Sequence, residues 1–156
     1  MYYKRRMYLD RIRPLIGAPV IKVITGMRRT GKSVLLKQID ELVREQGAKP
    51  CYVNMELLEN HPFRDPYLLN SHIREMNASA VLIDEVQNVR NWEELAASLL
   101  SEGGIDVYIS GSNASMLSTD LATKIAGRYI EIRVYPLGLQ EFIQFRDSKA
   151  GSLEDE

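Results

Sequence analysis

Val20-Ile21-Lys22-Val23-Ile24-Thr25 runs directly into Gly26-Met27-Arg28-Arg29-Thr30-Gly31-Lys32-Ser33, and this stretch decides how the rest of the chain is read. The first six residues are rich in β-branched side chains and predict a strand stopped by Gly26. From Lys32 to Gln46, Leu35, Ile39, Leu42 and Val43 recur at helical spacing, and Gly47 ends the run. Between strand and helix lie a Gly, four free positions, Gly-Lys and then Ser, which is the pattern of a phosphate-binding loop in the context it needs. Glycines let the backbone turn so that successive N–H groups and the helix N-terminus face a polyphosphate. Lys32 is placed to reach the β and γ oxygens, and the Ser33 hydroxyl to ligate Mg²⁺. The binding segment is read as Gly26, Met27, Arg28, Arg29, Thr30, Gly31, Lys32, Ser33 and Val34.

Working outward, the chain keeps alternating strand and helix. Cys51 to Met55 predicts a second strand, and Asp65 as N-cap with Pro66 as first helical residue opens a helix carrying Leu69, His72, Ile73 and Met76. Ala80 to Ile83 is continuously apolar, as a strand covered on both faces is, and it ends in Asp84-Glu85. Asn91 and Glu94 resemble a capping box opening a helix that runs to Gly103, and Asp106 to Ser110 reads as a fourth strand. Helical spacing follows from Met116 to Ile125, a fifth strand from Tyr129 to Val134, and a terminal helix near Leu139 to Phe145. Upstream, Leu9, Ile12 and Ile16 predict a short helix ended near Pro14 and Gly17. Five strands alternating with helices imply an α/β fold, with a parallel sheet covered on both faces. Residues 1–19 form a helical lead-in, 20–147 the core, and 148–156 a polar, frayed tail.

Asp84-Glu85 at the carboxyl end of a buried strand is the expected counterpart of the phosphate loop, because open α/β sheets bind ligands off their strand C-termini. Asp84 is read as holding Mg²⁺ through water, and Glu85 as accepting a proton from the attacking water or orienting it.

Taken together, Val-Ile-Thr-Gly-Met-Arg-Arg-Thr-Gly-Lys-Ser at 23–33, Leu-Ile-Asp-Glu-Val-Gln at 82–87, Ser-Gly-Ser-Asn at 110–113 and Gly-Arg-Tyr at 127–129 resemble the AAA-type P-loop ATPases of bacteria and archaea. The resemblance covers roughly Tyr8 to Phe145. It implies a P-loop NTPase three-layer sandwich whose five-stranded parallel sheet has the order 5-1-4-3-2, with ATP and Mg²⁺ at the loop. It also implies that Ser112 or Asn113 senses the γ-phosphate, and that Arg128 is presented to nucleotide, often across a subunit boundary. Longer members continue past Pro136-Leu137-Gly138 into a helical lid and a further, sometimes nuclease-like, domain. The expectation is therefore a fragment of a longer protein that binds weakly and turns over slowly without its lid.

With 156 residues, 45% hydrophobic and 26% charged, the composition is that of one globular domain. The net charge of -1 gives no overall attraction to nucleic acid or anionic membrane. Residues 1–50 nonetheless carry 12 basic and 4 acidic side chains, a local excess of +8, part of which sits at Arg28, Arg29 and Lys32 where a polyanion binds. The Tyr-containing basic stretch at Tyr2, Tyr3, Lys4, Arg5, Arg6 and Tyr8 reads as a solvated helix face more readily than as a nucleic-acid contact. Cys51, the lone cysteine, excludes an intrachain disulfide and points to the cytoplasm, and no run has the length of a membrane span. His61 and His72 lack metal-ligand spacing. Trp92, Phe142 and Phe145 read as core residues or as contacts for further C-terminal parts, and an exposed apolar patch there would favour self-association.

Three functions compete on these residues. A Mg²⁺-dependent ATPase uses Glu85 to activate water, whereas a nucleotide-dependent switch engages a protein partner or DNA with little hydrolysis. A small-molecule kinase ranks last, because tandem Asp84-Glu85 suits water activation and no Arg-rich lid lies between the third and fifth strands.

Overall fold

The computed structural model describes residues 4–112 and 123–151. Helix α1 (Arg6–Ile12) passes into a 3-10 turn at Arg13–Leu15, as Pro14 allows only at a helix start. Then follow β1 (Ile21–Thr25), α2 (Lys32–Glu45), β2 (Pro50–Asn54), α3 (Pro66–Glu75) and β3 (Ala80–Asp84). The described chain closes with α4 (Trp92–Glu102), β4 (Asp106–Gly111), β5 (Tyr129–Arg133) and α5 (Leu139–Gly151). All strand pairs are parallel, in the order β2-β3-β4-β1-β5, which is the expected 5-1-4-3-2 read from the opposite edge.

Strand alternation divides the core into two layers. Ile24, Leu82, Tyr108 and Ile132 pack with Tyr8, Ile12, Leu35, Leu36 and Ile39 under α1 and α2. Val23, Val53, Val81, Ile83 and Ile109 pack with Leu69, Ile73, Trp92 and Leu99 under α3 and α4. Each such fully buried aliphatic side chain contributes about 1.5–3 kcal/mol relative to exposure, so both layers are needed to hold the sheet.

Asp65 caps α3 as its sequence implies: its Oδ1 accepts the N–H of Tyr67 at 2.9 Å and of Leu68 at 3.4 Å. The capping box expected at Asn91 and Glu94 does not form. Asn91 takes a left-handed conformation (φ 48) and makes no side-chain cap hydrogen bond, and its carbonyl accepts the N–H of Glu94 at 3.0 Å and of Leu95 at 3.4 Å. The last helix runs through Ser148 to Gly151, so the tail expected to fray from Ser148 is helical at its start. Most of the helix expected at Met116 to Ile125 lies outside the described residues, although Ile125 is buried in the α3–α4 layer.

One polar feature was not foreseen. Lys22, near the amino end of β1, is fully buried against Asp106, its Nζ also donating to the Ala18 carbonyl at 2.9 Å. Asp106 accepts in addition from Tyr108 Oη at 2.6 Å and the Gly17 N–H at 3.0 Å, and burial, that hydrogen bond and the carboxylate charge all push the Tyr108 hydroxyl pKa upward.

Candidate nucleotide site

Because β4 lies between β1 and β3, and Thr25 pairs with Gly111, the carboxyl ends of these three strands open on one edge. The loop leaves β1 there. Gly26 (φ 148) has the chain after β5 hard against it, and a Cβ at that position would overlap the Val134 carbonyl oxygen, so only glycine fits. Arg29 (φ 63) and Gly31 (φ 90) take left-handed conformations, and Thr30 braces the turn by donating from Oγ1 to the Met27 carbonyl at 2.8 Å. Gly31 is the N-cap of α2 with no side-chain cap, which leaves the first-turn N–H groups at Lys32, Ser33 and Val34 without intrahelical partners. Met27, Arg28 and Arg29 are exposed, whereas Ser33 and Val34 are half-buried.

Lys32 folds back into its own loop, donating to the Gly26 carbonyl at 2.8 Å and the Met27 carbonyl at 2.7 Å. Burial holds its pKa below the ordinary lysine value, while the charges of Glu85 and Asp84 oppose that shift. The ammonium thus feels the acidic pair across the strand ends.

Asp84 is completely buried, and both its oxygens are held by hydroxyls. Ser110 Oγ donates to Oδ1 at 2.6 Å and Tyr52 Oη to Oδ2 at 3.0 Å. Burial, the Asp84 charge and this hydrogen bond raise the Tyr52 pKa, so the phenol stays a donor. Ser110 Oγ also accepts the Glu85 N–H at 3.1 Å and so fixes the acidic pair as one unit. Glu85 itself has a left-handed backbone (φ 58), and its carboxylate accepts from Gln87 Nε2 and, at 3.4 Å, from Ser112 Oγ. Asn113 lies outside the described residues.

Arg128 is elsewhere. Its carbonyl accepts the Ile21 N–H at 3.0 Å, at the start of β1, and its Nε donates to the Ile125 carbonyl at 3.2 Å. The five residues of β5 therefore separate it from its own phosphate loop by roughly 16 Å at about 3.3 Å per residue.

Sequence reasoning missed Tyr52, Ser110, Gln87 and Arg5. Ser110 was quoted within 110–113, but only the register, with Ile83 beside Ile109, reveals that it and not Ser112 touches Asp84. Arg5, grouped with the solvated basic stretch, is 3% exposed and donates through Nη1 to the Thr30 carbonyl at 2.7 Å.

Loop, helix start and acidic strand end define the P-loop nucleotide-binding class. The AAA domain profile matches residues 19–143, and the chain belongs to that family. It is 37% identical over 151 residues to an uncharacterized protein of Haemophilus influenzae, spanning 92% of this chain and 38% of that one. It is 31% identical over 133 residues to an uncharacterized protein of Methanocaldococcus jannaschii, spanning 81% of this chain and 29% of that one. The chain thus corresponds to well under half the length of either relative. Among solved structures, AMPPCP-bound DnaA from Aquifex aeolicus superposes with a TM-score of 0.65 at 13% identity, over 97% of this chain and 52% of that one. The P-loop NTPase domain of an Escherichia coli sigma-54 activator gives 0.57 at 16%, over 85% and 95%. These two likenesses are likenesses of fold.

Among the described residues no helix is long and apolar enough to cross a membrane, and no cluster of three or more His, Cys, Asp or Glu could hold a metal. A Mg²⁺ at this edge would therefore depend on Ser33, Asp84 and phosphate oxygens, the mixed set that this ion prefers. The residues fit it. Asp84 carries two hydroxyl hydrogen bonds and keeps lone pairs for a metal-bound water.

Proposed function

We propose that this chain is the Mg²⁺-dependent ATP-hydrolysing module of a longer AAA-type protein. The observation that carries the reading is Lys32, held in the loop by the Gly26 and Met27 carbonyls and exposed to the charge of Asp84 and Glu85. On ATP binding, Lys32 exchanges those carbonyls for β and γ oxygens, and the free N–H groups of the loop and of Lys32, Ser33 and Val34 receive the phosphates. Ser33 and, through water, Asp84 would hold Mg²⁺, which would supply charge neutralisation for the phosphates. Glu85 takes the proton of the attacking water after releasing Gln87 and Ser112. Ser112 or Asn113 senses the γ-phosphate. Arg128, a strand's length from its own loop, acts on the nucleotide of a second copy, and the lone buried Cys51 suits a cytoplasmic setting.

A second reading is a nucleotide-dependent switch that engages a protein or DNA. The observation favouring it is the double restraint on the Glu85 carboxylate, which holds off hydrolysis until something releases it.

Titration with fluorescent ATP and GTP analogues plus Mg²⁺, followed by phosphate release, tests both readings. Lys32→Ala should weaken binding by about a hundredfold or more. Glu85→Gln should bind normally and lose about 10²–10⁴ in turnover. Wild-type binding with no release favours the switch, and binding that survives Lys32→Ala removes the assigned site.

A further inference from the structure

Lys4, Arg5 and Arg6 are consecutive cations, yet Lys4 and Arg6 are exposed while Arg5 is buried. Its guanidinium spans three separate pieces of chain. Nη1 donates to the Thr30 carbonyl at 2.7 Å, Nη2 donates to the Tyr135 carbonyl at 2.8 Å, and Nε and Nη2 form a fork on the Glu141 carboxylate, each at 3.2 Å. The arginine backbone N–H donates to Gln38 Oε1 on α2 at 3.2 Å, and its Cζ lies 4.6 Å from the centroid of the Tyr8 ring. Tyr8 extends the bridge, since its hydroxyl accepts the Tyr135 N–H at 3.0 Å. A solvated basic face makes none of these contacts.

Two consequences follow from elementary geometry. The Thr30–Gly31 peptide is planar and trans, so a carbonyl pulled toward Arg5 aims the Gly31 N–H the opposite way, and that N–H is one of the donors of the phosphate loop. Glu141 lies in the first turn of α5, and Tyr135 in the segment that leads to it from β5. The same guanidinium therefore orients the loop and seats the chain beyond β5. Tyr135 is 59% exposed, and Leu139 and Phe142 on α5 are 76% and 53% exposed, so the buried Arg5 guanidinium ties down a segment that turns much of its apolar surface outward.

We infer that Arg5 is a positioning residue that links the phosphate loop to α5, so that filling the loop and seating α5 favour one another. Linkage makes the effect reciprocal: whatever displaces α5 loosens the loop, and whatever fills the loop tightens α5. The inference deepens the nucleotide reading and, for its second half, rests on it.

Amide hydrogen exchange on the whole chain tests it in two arms. Without nucleotide, Glu141→Gln, which keeps the shape of α5 and leaves the other Arg5 contacts available, should speed exchange in residues 26–32 by at least about fivefold. Arg5→Lys, which keeps the charge and lacks the fork, should do the same. With Mg²⁺ and ATP, residues 138–151 should become protected in the wild type and not in Arg5→Lys. A Glu141→Gln protein whose loop exchanges as in the wild type overturns the inference, whatever its melting temperature. Wild-type binding of ATP without protection of α5 also overturns it. Absence of any ATP binding condemns the nucleotide reading instead, and the nucleotide-free arm then decides the link alone.

Discussion

One sheet sets a lysine against carboxylate at each of its ends, and the two settings are opposites. At the amino ends of β1 and β4, Lys22 is fully buried, pairs with Asp106 and donates to Ala18, while Asp106 is saturated further by Tyr108 and Gly17. At the carboxyl ends, Lys32 donates, among the described residues, to two carbonyls of its own loop, and the acidic pair it faces is held by hydroxyls and an amide. Every charge of the first end has a permanent partner. Those of the second end have partners that a polyphosphate and a cation can replace. A closed ion pair of the first kind is no guarantee of stability by itself, since desolvation offsets its attraction, but breaking it leaves a bare buried charge.

The sharpest way to break the contrast is at Lys22. Lys22→Ala should cost about 3–5 kcal/mol in urea unfolding because it strands Asp106, whereas a Lys22→Met, Asp106→Leu double variant should recover much of that loss. Nucleotide affinity of the folded fraction should stay within about twofold in the double variant. If affinity collapses instead, the two ends are not independent.

Ser110→Ala comes next, because it removes a donor to Asp84 and the acceptor of the Glu85 N–H together. The expected loss is about 1.5–3 kcal/mol of stability, measured by denaturant titration, with turnover falling more than ATP affinity. Equal loss of both would mean that Ser110 supports the fold and not the acidic pair.

The smallest effect is one of pH. Burial alone would raise the Glu141 pKa, but hydrogen bonds from Arg5 and the Gly138 N–H and the Arg5 charge outweigh it and hold the carboxyl below its ordinary 4.5. A depressed carboxylate pKa stabilises the folded state above the unfolded value and loses that contribution as pH falls through the folded one. The stability difference between wild type and Glu141→Gln should therefore be constant near neutrality and shrink below about pH 4.5. A difference that persists in stronger acid would assign the contact to packing.

How legible each feature was depends on the range of the interaction that makes it. The loop from Gly26 to Ser33, the all-apolar β3 ending in Asp84-Glu85, and the Asp65-Pro66 helix start are local patterns, visible in the chain because their causes lie within a few residues. The capping box at Asn91 failed although it too was local, because Asn91 takes a left-handed backbone in place of the extended one that an N-cap residue needs, and its side chain makes no cap hydrogen bond. Tyr52 and Ser110 belong to strands 26 or more residues from Asp84, and only parallel pairing in one register brings their hydroxyls to its two oxygens.

By itself, then, the sequence determined a phosphate loop between strand and helix, a parallel sheet and an acidic strand end, because turn geometry, β-branching and helical periodicity are short-range properties. Tertiary structure alone decided that Arg128 stands at the far end of the sheet from the loop, that Lys22 is buried with Asp106, and that Arg5 is a bridge. A cation's burial and partners depend on what folds over it. Arg5 lies 25 residues from Thr30 and 136 from Glu141, and no local pattern in Lys4-Arg5-Arg6 distinguishes the residue that turns inward from the two that face water.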